Sequence, residues 1–274
     1  MAWSHTDQNL DRKLADKPPF EPNSRQAAIL KVIAETGFAE TGLMARYLSK
    51  TPQTIRRDFK ELESHGLVKQ IRGGAKSGER AGHQNLPYSQ RQLSRSIEKQ
   101  IIGQFAAGLI PDDKCVFLSL GTSTEAVARN MLEHKNMQFV TNNLNIANLL
   151  RDNMTSQTQL CGGVVRREDG GLLDPRAIEL ISNIRTDYSL IGIGAIADDG
   201  GLFCYDIDEV RTAQAVVRNS DVSILVADER KFGRKANHRM GNLSDIDIFV
   251  TDNANNTDIA ELCHEKGVQL ILAS

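Results

Sequence analysis

Hydrophobic residues follow two different patterns along the chain, and the change falls near residue 97. Before it, apolar side chains recur every three or four positions in short stretches, which is the spacing of amphipathic helices. After it, short apolar runs alternate with amphipathic stretches, which predicts strands alternating with helices in a mostly parallel sheet. We therefore expect a tail over 1–20, a small helical domain over 21–76, a linker over 77–96 and an α/β domain over 97–274.

Residues 24–76 predict three short helices and a hairpin, and the third helix carries the clearest signals. Thr51 suits the N-cap position, because its hydroxyl can accept a hydrogen bond from a first-turn amide. Pro52 follows where a missing N–H costs nothing, and Gly66 suits the left-handed residue after the last turn. The three residues 48–50 before this helix match the turn of a helix-turn-helix motif.

The third helix has one apolar face and one basic face. Ile55, Phe59 and Leu62 fall on the same side of a helix and predict its buried face. The opposite face and the hairpin carry guanidinium, ammonium, amide and hydroxyl groups, which contact phosphates and base edges in the major groove of DNA. The candidate DNA contacts are Thr51, Gln53, Thr54, Arg56, Arg57, Lys60, Lys69, Arg72 and Gly73. Spacing alone also fits a plain three-helix bundle with a solvated basic face.

The same segment resembles a known family. The run Thr54-Ile55-Arg56-Arg57-Asp58, followed by Gly66-Leu67 and Gly73-Gly74-Ala75, resembles the helix-turn-helix signature of DeoR-type bacterial repressors. The chain departs from that pattern at Lys50-Thr51 and at Arg72, and neither change removes a basic or capping group. The resemblance implies a winged helix-turn-helix domain that binds double-stranded operator DNA, with a dimer or tetramer on a roughly palindromic site.

The pattern beyond residue 97 predicts the positions of the strands and helices. Strands are predicted over 115–120, 138–140, 189–194, 222–227, 246–250 and 268–272, with a short one around Gln159. Helices are predicted over 97–109, 125–133, 144–151, 176–183, 209–219 and 257–265.

Four loops that follow predicted strands contain polar or conformationally unusual residues. They hold Gly121–Thr124, Asn142-Asn143, Gly162-Gly163, and Asp228 with Lys231. The carboxyl ends of parallel strands meet at one edge of a sheet, so these loops are expected to converge. A helix N-terminus with hydroxyls and a lysine forms a cradle for an anion such as a phosphate ester. Each loop also has a purely structural explanation without a ligand: a helix cap, a turn, a tight bend or a solvated surface lysine. The candidate ligand contacts are Gly121, Thr122, Ser123, Thr124, Asn142, Asn143, Gly162, Gly163, Arg211 and Lys231.

The resemblance extends over this domain. The segment 121–148, Asp169-Gly170-Gly171 and Glu209-Val210-Arg211-Thr212 are similar to DeoR-type repressors that respond to glycerol 3-phosphate. The resemblance implies a sugar-phosphate-isomerase-like α/β domain and a small phosphorylated ligand, glycerol 3-phosphate or another sugar phosphate, that releases the protein from DNA. Asp174 stands where relatives commonly have a small residue, and it could cap a helix or weaken anion binding.

The alternative is an isomerase acting on a sugar phosphate, which needs a positioned base and a proton shuttle. The candidate groups are Asp206, Asp208, Glu209, Cys204 and His238. Glu209-Val210-Arg211 resembles the repressors rather than a catalytic loop, and no metal-ligand cluster or nucleotide-binding loop is present in the sequence. We therefore expect a sensor with no catalytic residues, no cofactor and no metal.

Charge supports a division between two domains. The whole chain has a formal net charge of −2. Residues 21–100 carry 14 basic and 8 acidic side chains, whereas residues 101–274 carry 16 and 24. A basic module joined to an acidic body suggests that only the first binds a polyanion. The four scattered cysteines, the lack of a secretory signal and the lack of a long apolar run suggest a bacterial cytoplasmic protein with no membrane partner.

Overall fold

The computed structural model describes residues 22–36, 38–65, 67–77, 88–253 and 257–273. The chain divides into two compact units, with the boundary after Ala81. The tail predicted over 1–20 lies outside the described residues, as does the part of the predicted linker over 78–87.

The first unit is a helix-turn-helix with a small antiparallel sheet. Its elements are α1 (Ser24–Thr36), β1 (Phe38–Glu40), α2 (Thr41–Tyr47), α3 (Pro52–Ser64), β2 (Val68–Ile71) and β3 (Gly74–Ser77). The strands are ordered β1-β3-β2, so the sequence-based hairpin gains a third strand. Residues from both helices of the motif, such as Met44 and Phe59, pack with Ile29 of α1 in one apolar core.

The start of α3 is formed by the signals that predict it. The Thr51 hydroxyl accepts a hydrogen bond from the amide of Thr54 at 3.2 Å, and Pro52 occupies the first turn. The preceding turn is closed by Ser49, whose φ of 52° is left-handed, and by a bond from the Lys50 amide to the Ala45 carbonyl at 2.9 Å. The predicted helix-turn-helix geometry is therefore present.

Glycine is required at two neighbouring positions of the wing, for a different reason at each. Gly73 lies in the tight turn between β2 and β3 with a φ of 93°, which favours glycine. At Gly74 a Cβ atom would overlap the carbonyl oxygen of Ala39 on β1. Glycine at this position therefore lets β1 pair with β3, where Glu40 lies opposite Gly74.

The second unit is an α/β domain with a separate small sheet. Its helices are α4 (Tyr88–Leu93), α5 (Ser96–Gly108), α6 (Thr122–Arg129), α7 (Leu144–Leu150), α8 (Pro175–Ser182), α9 (Ile207–Arg218) and α10 (Thr257–Glu265). Its strands are β4 (Cys115–Leu118), β5 (Gln138–Thr141), β6 (Gln157–Leu160), β7 (Thr186–Ile191), β8 (Ala195–Ile196), β9 (Gly201–Cys204), β10 (Ser220–Val226), β11 (His238–Asn242), β12 (Ile248–Thr251) and β13 (Gln269–Leu272).

Seven of these strands form one parallel sheet in the order β13-β12-β10-β7-β4-β5-β6. Alternate residues face opposite helical layers: Phe117 packs with α8, α9 and α10, whereas Val116 and Leu118 pack with α5, α6 and α7. Burial on both faces explains the near-continuous apolar runs in the sequence. The predicted α/β class and parallel sheet are confirmed.

The order of the strands locates a crevice. The chain runs from β4 outward through β5 to the edge strand β6, and then returns to place β7 on the other side of β4. Loops that leave β4 and β7 therefore diverge in opposite directions, and a crevice opens between them at the carboxyl ends of the strands.

Two parts of the second unit were not predicted from the sequence. The strands β8, β9 and β11 form a three-stranded antiparallel sheet, and β8 is only two residues long. Helix α4 lies in the segment predicted as a linker, and the structure includes it in the second unit.

The start of α6 differs from the predicted one. Its first turn begins at Thr122, three residues before the predicted start, so the hydroxyl residues 122–124 lie within the helix.

An ion pair fixes the recognition helix to the rest of the first unit. Asp58 is 2% exposed, and its carboxylate accepts from the Arg25 guanidinium at 2.6 and 2.8 Å. A second link runs from the Gln26 amide to Glu61 at 2.9 Å. A two-point contact of this kind holds α3 at a defined rotation against α1.

We expect Arg25→Ala to loosen α3, because it leaves the Asp58 carboxylate buried without its cation. Arg25 is itself about one third exposed, with 32% of its side chain accessible, so solvent reduces the loss to about 2 kcal/mol. Amide hydrogen exchange along α3 should then be roughly 30-fold faster. The control is Arg57→Ala, which removes an exposed arginine from the same helix. Equal exchange rates in the two variants would contradict a holding role for the pair.

Candidate DNA-binding surface and anion-binding cavity

The two faces of α3 differ as the spacing predicts. Ile55, Phe59 and Leu62 are at most 1% exposed. Gln53, Arg56, Arg57 and Lys60 are all exposed on the other side. The helix therefore presents two guanidiniums, an ammonium and an amide to solvent, while its apolar side holds it in the core.

The wing is tied to α3 and extends its basic surface. The Gln70 amide donates to Glu63 at 2.8 Å, and its side chain donates to the same carboxylate at 2.7 Å. These bonds lower the pKa of Glu63. Lys69 and Arg72 lie exposed on the hairpin, which turns at Gly73. The hairpin and the recognition helix thus each carry exposed cations, and the Gln70–Glu63 contact joins the two elements.

The two threonines among the candidate DNA contacts already have a structural role. The hydroxyls of Thr51 and Thr54 lie 2.9 Å apart, and Thr51 caps the helix. Capping fixes where α3 begins, and it thereby sets the positions of the arginines that follow.

A cavity in the second unit lies at the crevice between β4 and β7. It is lined by the loops that follow β4, β5, β7 and β10, by the first turns of α9 and by the segment from α4 to α5. Five of the ten candidate ligand residues line it: Gly121, Thr122, Ser123, Asn142 and Lys231. Gly192 and Gly194 form its β7 side, where the strand ends three residues earlier than predicted.

The other five candidates do not line the cavity. The Thr124 hydroxyl donates to the carbonyls of Ser119 and Gly121, both at 2.7 Å. Asn143 is fully buried, caps α7 and donates to Glu125.

Two glycines and an arginine complete that group. Gly162 and Gly163 follow the edge strand β6, which lies two strands away from the crevice. Arg211 pairs with Asp208 at 3.0 Å on an exposed face of α9. The cavity is lined instead by Glu209, Thr212 and Ala213, which share the opposite face of that helix.

Positive charge is concentrated around the cavity. Arg230, Lys231 and Arg234 come from the loop after β10, and Arg91 and Lys99 come from the α4–α5 segment. Arg91 and Lys99 are not among the residues predicted from the sequence, because they lie in or beside the predicted linker and reach the cavity only through tertiary packing.

One buried carboxylate lies among these cations. Asp228 is 3% exposed. Burial acts to raise its pKa, but Lys231, Arg230 and Lys99 outweigh burial, so its pKa is lowered. Burial lowers the pKa of both Lys99 and Lys231 to about 8, although Asp228 opposes that shift. The cluster therefore carries more positive than negative charge in a partly desolvated site, which favours an anionic ligand.

Three buried polar atoms at the cavity have no hydrogen-bond partner among the described residues. They are Nε of Arg91, Oδ1 of Asn142 and the hydroxyl of Tyr205. Buried polar groups are normally satisfied, so water or a bound ligand is expected to pair with these three atoms. The arginine requires an acceptor and the asparagine oxygen requires a donor. A ligand with both an anionic group and hydroxyls meets both requirements.

The residues considered for catalysis are held in other interactions. Arg166 donates to Glu209 at 2.6 Å and to Asp206 at 3.0 Å. Burial raises the pKa of Cys204 to about 12, so its thiol is protonated at neutral pH. His238 lies on β11, and neither it nor Asp208 lines the cavity.

Asp174 caps helix α8, which is the first of the two roles considered for it. Its carboxylate accepts from the amides of Arg176 and Ala177 at the start of α8, and from the amide of Val164 at 2.9 Å. It does not line the cavity. The departure from the family pattern therefore has a structural function.

Among the described residues, no helix has the length and apolar character needed to cross a membrane.

Two family models match this chain. The DeoR-like helix-turn-helix domain matches residues 25–81, and the DeoR C terminal sensor domain matches residues 94–253. The glycerol-3-phosphate regulon repressor of Escherichia coli strain K12 is 36% identical over 253 residues, which span 92% of this chain and 100% of that protein. The repressor of the same name from Haemophilus influenzae is 39% identical over 227 residues, or 83% of this chain and 88% of that protein.

A likeness to solved structures is more limited. Ribose 5 phosphate isomerase A from Neisseria gonorrhoeae is similar over 50% of this chain and 53% of that chain, with a TM-score of 0.37 and 13% identity. A likeness of that extent supports no argument about function.

We expect anion binding at the cavity to weaken between pH 7 and pH 9. Lys99 and Lys231, with pKa values of about 8, are mostly charged at the lower pH and mostly neutral at the higher one. Each lysine that must regain a proton costs about tenfold in affinity. Sulfate is the suitable probe for calorimetric titration, because its charge stays constant over this range. Lys231→Arg should flatten the profile, since arginine stays protonated. A flat profile in the unaltered chain would contradict a role for the lysines.

Proposed function

The chain belongs to the DeoR family of transcriptional repressors, and on that premise we propose that it represses a glycerol or glycerol 3-phosphate regulon and leaves its operator when a small phosphorylated metabolite binds the second unit. Glycerol 3-phosphate is the proposed metabolite. We choose glycerol 3-phosphate because the similar repressors are named for it, and the charge and polar groups of the cavity support the same choice.

The observation that carries this proposal is the pairing of excess cations with unpaired polar atoms in one cavity. Arg91, Lys99 and Lys231 suit a phosphate group, which carries about −1.5 to −2 charges at neutral pH. The first-turn amides of α6, at Thr122 and Ser123, add donors on the same cavity. The Asn142 oxygen suits a hydroxyl. Another small sugar phosphate offers the same groups, and the ligand titration below separates the two.

On the DNA side we propose that α3 enters the major groove. Gln53, Arg56 and Arg57 would reach base edges or phosphates, and Lys60, Lys69 and Arg72 would contact the backbone. A dimer or tetramer would place two such helices on half-sites about one turn apart. Phosphate contacts would make operator affinity steeply dependent on salt.

We further propose that the second unit senses its ligand without transforming it. An isomerase needs a base close to the reacting carbons. Glu209 is the carboxylate nearest that role, and its contact with Arg166 keeps it in an ion pair. Release of DNA requires only that the ligand bind the non-repressing arrangement better. A complete switch needs about 5.5 kcal/mol of differential affinity, which protomers can share.

Arg56→Ala should weaken operator binding by roughly 10- to 100-fold, because one good base or phosphate contact is worth about 1–3 kcal/mol. Fluorescence anisotropy with a labelled operator duplex at fixed salt measures the loss, and ligand titration of the second unit should be unaffected. Arg151→Ala is the matched control, since it removes a solvent-exposed arginine from the second unit. If both variants bind the operator as the unaltered chain does, α3 is not the DNA-contacting helix.

Lys231→Ala should yield a repressor that remains on its operator when glycerol 3-phosphate is added, because the cavity loses a half-buried cation. Calorimetry should show at least tenfold weaker ligand binding, and normal operator affinity without ligand shows that the variant is folded. Arg211→Ala is the control, because that arginine lies outside the cavity. Normal release of the Lys231 variant would remove this lysine from the ligand site. Tighter binding of a different sugar phosphate to the unaltered chain would change the identity of the ligand but not the site.

A further inference from the structure

The segment 88–99, which we call the connector segment, is the first described part of the second unit after the DNA-binding unit. It contains α4 and the first turn of α5. Three of its residues, Arg91, Ser94 and Lys99, line the same cavity as the loop after β10. The connector segment is therefore a wall of the proposed ligand site, although the sequence pattern predicts a linker there.

Polar contacts attach the connector segment to the body. The Tyr88 hydroxyl donates to the Glu125 carboxylate at 2.8 Å, and Asn145 donates to that hydroxyl at 2.9 Å. The Arg91 guanidinium reaches Asp169 at 3.3 Å. Burial and the bond to Glu125 raise the pKa of Tyr88, so the phenol keeps its proton.

One cavity cation from the body holds the connector segment directly. Arg230 donates to the Ser94 hydroxyl at 2.6 Å. Within the connector segment, the Lys99 ammonium donates to the Ser94 carbonyl at 2.8 Å and also to the Arg91 carbonyl, and these bonds fix the turn between α4 and α5. Arg230, a group that would bind a phosphate, is thus also a group that holds this segment.

Arg95 of the connector segment pairs with Glu229 in the loop after β10 and with Asp252, whereas like charges around the cavity oppose the attachment. Arg91 and Lys99 come from the connector segment, whereas Arg230, Lys231 and Arg234 come from the loop after β10. In addition to burial, Arg230, Arg91 and Arg234 all lower the pKa of Lys99, and Asp228 is the main group that opposes them. An anion placed among these cations would turn their repulsion into a shared attraction.

We propose that the ligand's phosphate bridges the connector segment and the loop after β10, with Arg91 as a direct ligand contact through its unpaired Nε, so that binding fastens residues 88–99 to the body. This inference rests on the proposed function of the cavity. Beyond that function, Arg91 becomes a ligand contact, and the connector segment becomes the element that changes when the ligand binds. The connector segment lies in the second unit, on the side of the chain that leads towards the DNA-binding unit.

The coupling has to work in both directions. If the ligand binds better when the connector segment is attached, then weakening the attachment weakens ligand binding, by up to the same factor. Tyr88 does not line the cavity, so Tyr88→Phe removes an attachment contact without removing a ligand contact. We expect this variant to bind glycerol 3-phosphate about three- to tenfold more weakly.

The decisive measurement is amide hydrogen exchange of the full chain with and without glycerol 3-phosphate, with inorganic phosphate as a second probe. In the unaltered chain we expect exchange to slow at least fivefold both at 121–125 and in the connector segment. In Arg91→Ala, at ligand concentrations that restore saturation, slowing at 121–125 should persist while slowing in the connector segment is lost. Arg91→Lys should recover part of it, and Arg151→Ala should behave as the unaltered chain.

The outcomes separate this inference from the proposed function. Slowing at 121–125 together with unchanged exchange in the connector segment of the unaltered chain overturns the bridge and leaves the ligand site standing. Full slowing of the connector segment in Arg91→Ala, or unaltered affinity in Tyr88→Phe, also overturns it. If neither probe slows exchange at 121–125, no phosphate occupies the cavity, and both the proposed ligand and the bridge are wrong.

Discussion

The candidate site of the second unit depends on how several cations are kept close together in a partly buried cavity. The strand order of the parallel sheet reverses between β4 and β7, and the cavity at this point is lined by the loop after β10 as well as by the connector segment. Asp228 is the buried counter-charge that allows Arg230 and the two cavity lysines to remain near one another. The site therefore has an excess of positive charge, and that imbalance favours the anionic ligand proposed above over a neutral sugar.

The first unit uses charge in the opposite way. Its ion pair between the partly exposed Arg25 and the buried Asp58 is complete, and it serves to hold α3. Its exposed arginines, Arg56 and Arg57, remain on a surface that solvent already stabilises. A rigid helix with solvated cations suits a ligand as large as a duplex, whereas a desolvated cluster suits a small one. The same residue type thus has different physical roles in the two units.

The sequence predicts the elements better than it predicts the site. Helix periodicity and caps locate α3, and the alternation of apolar runs locates the parallel sheet, because both are local signals. Gly121 and Asn142 are predicted to line the site because they directly follow central strands. Gly162 follows an edge strand, and strand order is not a local property.

Side-chain direction explains the remaining differences. On α9, Arg211 points away from the face that carries Glu209, Thr212 and Ala213, and counting 100° per residue from Glu209 would have indicated this. Arg91 and Lys99 had no such signal, because nothing in a polar stretch shows that it folds against a sheet.

Gly74 illustrates how far an effect on transcription can lie from any contact with DNA. A side chain at this position has no room beside β1, so a substitution would push β1 away from β3 and displace the turn whose Gly73 carbonyl accepts from the Thr41 amide. The damage would reach the start of α2 and stop within the first unit. In a genetic screen such alleles would score as constitutive expression, indistinguishable by phenotype from the loss of a base-reading arginine. Only a ligand-binding assay, in which they remain normal, would show that the lesion is one of architecture.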